Sequence, residues 1–218
     1  MASDPKADLH RYLKVARESF LWKLEGLSEY DVRRPLTPTG TNLLGLAKHL
    51  AGVEAGYFGD CLGRPFPEKL PFDVDADPNS DMFATADESR EDVLGLFARA
   101  TAFADTSIEE LPLSAPGVVP WWPEERKYVT LHLLLVHEIA EVNRHAGHAD
   151  ILREGLDGTA GLRAGNSKLP RQDWQAHWDR VELEARKASR PGVTARPRSA
   201  PGNVADRSCE AINTAEHG

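Results

Sequence analysis

Cysteine is nearly absent from this chain, with Cys61 and Cys209 the only two among 218 residues. Two thiols can build neither the disulfide framework of a small secreted domain nor an all-thiolate zinc cage. A reduced, cytoplasmic protein is the expectation. Basic charge is also short: 26 Lys and Arg against 34 Asp and Glu leave a formal net charge of -8. Nucleic-acid binders gain affinity by neutralising phosphates with Lys and Arg, so no nucleic-acid partner is expected. Arginine clusters only toward the end, from Arg186 to Arg198. No uninterrupted apolar run approaches the ~18 residues of a membrane span, and no apolar segment follows a basic start, so no membrane association is expected. Several motifs are missing too. There is no glycine-rich phosphate loop and no Gly-x-Ser-x-Gly elbow, and His137-Glu138 is not followed by a second histidine three residues later. Nucleotide-cradling, serine-hydrolase and zincin-protease chemistries are thereby excluded. No repeat and no convincing strand pattern is visible.

What the chain does have is helical periodicity. Its 41% hydrophobic and 28% charged composition is that of a globular protein. From Pro5 to about Leu27, Leu9, Leu13, Ala16, Phe20, Leu24 and Leu27 recur at three- and four-residue steps, behind Asp4 as N-cap. A second apolar segment runs from Asn42 to about Leu62 and stops at Gly63-Arg-Pro. Residues 64 to 84, rich in Pro and Asp, read as a long connection. The third segment starts at Thr85-Ala-Asp-Glu88, read as a capping box, and continues through Val93, Leu96, Phe97, Ala100 and Phe103. A loop from Ala115 to Lys127 carries Trp121-Trp122, whose commonest role would be a packed anchor, with a pocket mouth as the second reading. The fourth segment, about Thr130 to Glu154 before Gly155, is the most apolar and should lie centrally. A shorter fifth, around Asp173 to Arg186, presents Trp174, Trp178 and Val181 on one side. From Ser189 onward Pro, Gly, Arg and Ser dominate, as in disordered tails. The expectation is an all-α protein: a four-helix bundle with a short additional C-terminal helix over residues 1–188, and a disordered tail over 189–218.

The fourth segment holds the chemistry. At about 100° per residue, His137, Glu141, His145 and His148 share one narrow helical face. Imidazole and carboxylate four residues apart can converge on one divalent ion. A buried, unpaired Glu141 would be expensive, and coordination is one arrangement that makes it tolerable. An ion pair with Arg144 or Arg153 is another. Spacing leaves two pairs open, Glu141 with His145 or His137 with Glu141. One helix cannot complete the shell, and His49 in the second segment is the best further candidate. His148, one turn along, could orient a ligand from outside.

Three stretches carry a family resemblance: Arg33-Arg-Pro-Leu-Thr-Pro-Thr-Gly40, Gly45-Leu-Ala-Lys-His-Leu-Ala-Gly-Val-Glu54, and His137-Glu-Ile-Ala-Glu-Val-Asn-Arg-His-Ala-Gly-His-Ala-Asp-Ile-Leu-Arg-Glu154. Over about residues 8 to 188 the chain resembles the DinB/YfiT-like superfamily, and within it the mycothiol-associated, maleylpyruvate-isomerase-like metal-binding branch. That resemblance implies a four-helix bundle with zinc or nickel near one end. Many members carry three histidines. Matched residue by residue, it implies His49, Glu141 and His145 as ligands, the His-Glu-His variant seen in the mycothiol-dependent isomerase. No counterpart of the separate C-terminal domain of that isomerase is expected. The resemblance further implies mycothiol or a similar thiol as cosubstrate, an electrophilic small molecule as second substrate, and homodimers through helix faces.

Three functions are therefore in view. One is a metal-dependent thiol S-transferase. Another is a hydrolase using a metal-bound water, with Glu54 or Glu138 as available bases. The third is a non-enzymatic metal-binding stress or binding module.

Overall fold

The computed structural model describes residues 4–165 and 169–189. Helix α1 spans Pro5–Leu21, opened by the Asp4 carboxylate accepting from the Lys6 amide with Pro5 in the first turn, and runs into a 3-10 turn at Trp22–Leu24. A short helix α2, Glu29–Arg33, begins at Ser28, whose hydroxyl accepts from the Asp31 amide. Helix α3 spans Leu43–Phe58 behind Asn42, which accepts from the Gly45 amide. It ends four residues before the expected Leu62, because Gly59 leaves helical geometry and a separate 3-10 turn follows.

Helix α4 spans Arg90–Glu110 and starts later than the sequence suggests. Ser89 and Asp92 form the reciprocal capping box there, not Thr85 and Glu88. The Glu88 carboxylate does accept the Thr85 amide at 2.8 Å, but it also receives Lys48 Nζ at 3.0 Å. It closes a turn that reaches back to α3, so the box pattern at Thr85 marks a loop anchor. Two strands, β1 (Pro116–Val118) and β2 (Tyr128–Thr130), pair antiparallel with Gly117 opposite Val129. Alternation over three residues is too short to read as a strand. The hairpin closes the base of the loop carrying Trp121 and Trp122. Helix α5, Leu131–Asp157, passes through Gly155 and stops at Gly158, which adopts φ 76° as a left-handed cap.

The described residues are mostly helical, as expected. Helix α1 packs on α5, and α3 packs on both α4 and α5. Leu13 and Phe20 of α1, Leu44, Leu50 and Phe58 of α3, Phe97 of α4, and Leu135 and Val142 of α5 are all essentially inaccessible within one core. Each such side chain contributes about 1.5–3 kcal/mol by burial. From the sequence the fourth segment should be the most apolar and lie centrally, but α3 takes that place: most of its residues are buried and it packs on both α4 and α5, whereas more than half of the α5 residues remain at least partly exposed. The chain divides into two compact units near residue 167. The second contains α6, Trp174–Ala188, where Asp173 caps by accepting from the Ala176 amide. Of the expected disordered tail, everything after Ser189 lies outside the described residues.

The connection of residues 64 to 84 is fastened to α3. Asn42 Nδ2 donates to the Met82 carbonyl at 3.1 Å and Lys48 Nζ to the Phe83 carbonyl at 3.1 Å. A methyl at Gly45 would overlap the Met82 carbonyl oxygen, and one at Gly52 would run into the Phe72 ring. Glycine at these two positions lets the loop lie directly on the helix. Gly45→Ala is expected to cost at least ~1–3 kcal/mol through overpacking, and to free the loop around Met82. Limited proteolysis and a thermal melt would check this; an unchanged cleavage pattern would show that the loop is held by other contacts.

Candidate metal centre

His49 sits midway along α3 and Glu141 and His145 lie one turn apart on α5, so the packing of two helices brings the three together. One donor atom from each lies within 4.8 Å of the others. His145 Nε2 donates to Glu141 Oε1 at 2.6 Å, and His49 Nε2 stands 3.8 Å from the same oxygen. The two imidazole rings are 5.0 Å apart, edge to face. The side chains are 19%, 8% and 10% exposed for His49, Glu141 and His145, so the cluster is largely buried, with His49 the most accessible of the three.

The sequence did not single out Asp81. Its carboxylate accepts from His49 Nδ1 at 2.7 Å, which turns Nε2 toward Glu141. This is the outer support that ligating histidines usually have. Asp81 lies among many acidic residues of a loop 32 positions downstream, so no spacing rule could pair it with His49.

The electrostatics follow from these contacts. Burial alone would lower the His49 pKa, but the Asp81 and Glu141 carboxylates outweigh it and raise it to about 9. Burial raises Glu141, and bonds from His145 and His49 overcome this and hold it far below the usual carboxylate range. His145 Nδ1 is buried with no hydrogen-bond partner among the described residues. An orphaned ring nitrogen beside a carboxylate and a second imidazole is unlike a finished core, whose polar atoms are paired. Two imidazoles and one carboxylate converging from two helices are a donor set suited to zinc or a similar divalent ion.

The other candidates lie apart. His137, one turn before Glu141, is packed against Tyr57 and Trp122, with ring centres 4.9 and 5.0 Å away. His148 is exposed beside His145, rings 5.3 Å apart. Arg144 approaches Glu141 only to 3.9 Å, while Arg153 binds the backbone of Lys23 and Glu25. Glu54 has both oxygens bonded to Arg17, each at 2.6 Å. Glu138 is fully buried. Trp121 and Trp122 both donate to the Tyr57 hydroxyl at 3.3 Å, so the pair is anchored as expected while Trp121 keeps 43% of its surface exposed.

Cys61 is no nucleophile in this setting. Burial, with Asp60 and Glu138 nearby, pushes its thiol up to about 12. In a Cys209→Ser variant, Cys61 is expected to resist iodoacetamide at neutral pH until the protein is unfolded, since the thiolate is the reactive form. Rapid alkylation of the native protein, followed by mass spectrometry, would contradict this.

No helix among the described residues is long and apolar enough to cross a membrane. Neither curated proteins nor solved structures provide a significant match. The sequence model of the mycothiol-S-transferase family does match, over residues 8–158, which takes in most of α1, all of α2 to α5 and all three members of the cluster. The chain therefore belongs to the mycothiol-S-transferase family, within the DinB/YfiT-like superfamily.

Proposed function

We propose that this protein is a metal-dependent thiol S-transferase that joins mycothiol, or a closely similar thiol, to an electrophilic small molecule. His49, Glu141 and His145 are the ligands, with zinc the first choice and nickel the second. The observation that carries this is the convergence of those three donor atoms within 4.8 Å in a member of this family. In the same reading α1, α3, α4 and α5 form the DinB-type four-helix bundle, and the protein acts in the cytoplasm as a homodimer.

When bound, the ion supplies Lewis acidity that favours thiolate, the nucleophilic form, over thiol. The remaining work falls to the chain. Asp81 holds the His49 ring with Nε2 inward, and Glu141 supplies one negative charge. Three protein donors leave coordination positions for other groups, as catalytic sites require. A hydrolase would need a general base as well, and Glu54, one of two carboxylates considered, is wholly engaged by Arg17.

Elemental analysis of purified wild type beside His49→Ala, followed by incubation of loaded protein with mycothiol and monobromobimane, tests the proposal. Stoichiometric metal lost in the variant, and a rate above the uncatalysed background, are expected. A metal-loaded wild type with no rate above background would overturn it.

Metal affinity should depend on pH. Below about 9 the ion-free His49 ring holds a proton, which an ion must displace. Affinity is thus expected to rise by roughly tenfold per unit between about pH 6.5 and 8.5. The same proton stabilises the ion-free fold fully below 6.5, the ordinary value of an imidazole, and that contribution is lost as pH climbs through about 9. Chelator competition across this range measures the slope; a flat profile would show that the ion displaces no proton from His49.

A further inference from the structure

Along α6, Trp174, Trp178, Val181, Ala185 and Ala188 recur at steps of four and three residues, the seam by which one helix packs on another. Yet none of the 15 residues of α6 is buried, and Trp178 keeps 60% of its surface exposed. A helix of this length is marginal in water without packing. The outer face of α5 has the matching lack. Leu133, Val136, Ala140, Arg144, Gly147 and Ile151 recur there at three- and four-residue steps, all of them exposed, Ile151 at 70%. A Cβ at Gly147 would meet nothing within 4 Å among the described residues, although glycine inside a helix costs about 1 kcal/mol against alanine. Both stripes are thus exposed in the single chain, and nothing described in that chain gives a reason for the glycine.

We propose that α6 of one copy packs on the outer face of α5 of a second copy, and the reverse, closing a two-fold homodimer. This rests on the homodimer of the proposed function and names its interface; it draws on neither the metal nor the thiol. Charge selects this pairing over the two like pairings. Glu182 and Glu184 flank the α6 seam on either side, at the positions that set partner choice in paired helices, so two copies of α6 would oppose acidic rows. Arg144 falls near the middle of the α5 stripe, so two copies of α5 crossing there would oppose guanidinium groups. Laid on each other, the stripes set Arg144 against an acidic flank. Arg144 is free to answer it, being half exposed and reaching Glu141 only to 3.9 Å. Glu182 and Glu184 are paired with Arg186 and Lys187 of their own helix, exposed contacts of the kind that contribute little. The indoles take the room over Ala140 and Gly147, where no side chain extends beyond a methyl. Made twice about the two-fold axis, the contact covers four tryptophans, which bury up to about 150–250 Å² each, against the roughly 1,600 Å² of a standard interface.

Sedimentation velocity on the full chain, over a concentration series, tests this. The wild type is expected at twice the chain mass of 24.0 kDa. Trp178→Glu and Ile151→Lys each damage both contacts, so each is expected to weaken the dimer about a thousandfold, two hot-spot losses of roughly thirtyfold. Both positions are exposed in the single chain, so each variant should keep its bundle, which circular dichroism checks. Mixed in equal parts, the two variants should regain dimer. The mixed pair keeps one contact whole, the unaltered α6 of the Ile151→Lys copy on the unaltered α5 of the Trp178→Glu copy, and its damaged contact carries opposite charges. Pairing through α6 alone would leave Ile151→Lys dimeric, and pairing through α5 alone would leave Trp178→Glu dimeric. Either result, or a mixture that stays monomeric, overturns this interface while the homodimer stands. A monomeric wild type overturns both.

Discussion

His145→Ala is expected to reduce metal affinity by more than about a hundredfold, whereas His148→Ala leaves it nearly unchanged, although the two histidines lie three residues apart on one helix. The contrast follows from placement. His145 is largely buried, with Nε2 against Glu141 and within reach of His49. His148 is exposed and lies outside the group of donor atoms that converge. Asp81→Asn should fall between them, at roughly 10–100-fold, the usual cost of losing a group that orients a ligating histidine. Titration with a chromophoric chelator gives all three constants, and circular dichroism checks that each variant is folded. Equal losses in the His145 and His148 variants would show that the ligand set is misassigned.

Arg17→Leu is expected to lower stability by about 3–5 kcal/mol, the usual result of breaking a buried ion pair from one side. Arg17 of α1 makes a two-pronged bond to Glu54 of α3 and a third, at 2.6 Å, to Asp105 of α4. Glu54 is completely inaccessible, so removing the guanidinium would strand a carboxylate in the core. It would then take up a proton or open the packing. The double variant Arg17→Leu/Glu54→Leu should regain most of the loss, because well-packed apolar side chains often substitute for a buried pair at little cost. Urea unfolding of the four proteins of this cycle measures the coupling. A single variant as stable as wild type would mean that the pair contributes nothing to holding the three helices together.

Much of this architecture can be read before any packing is known, and the failures have identifiable causes. The apolar steps of α1 and its Asp4 cap follow from rules acting within one or two turns. So does the shared face of His137, Glu141 and His145. Errors arose where two local signals competed. Thr85-x-x-Glu88 and Ser89-x-x-Asp92 both have the form of a capping box, and the first was diverted because Lys48, far away in sequence, binds Glu88. Gly155 and Gly158 could each end α5, and only the second adopts the left-handed conformation. The short hairpin and α2 went unpredicted because so few residues show no period.

Pattern within the chain determined that the protein is mostly helical, that it carries four long apolar segments, and that imidazoles and a carboxylate line one face of the last. It also brought His49 forward as a partner. Tertiary packing alone separated His145 from His137, sending one toward α3 and His49 and the other into the Tyr57 and Trp122 box. It also brought Asp81 against His49 and closed Arg17 onto Glu54. Helical periodicity is a property of bonds between near neighbours and is written every few residues. Which side chain meets which across two helices depends on how their surfaces interlock and on where loops tethered at Gly45 and Gly52 fall, and no single segment contains that information.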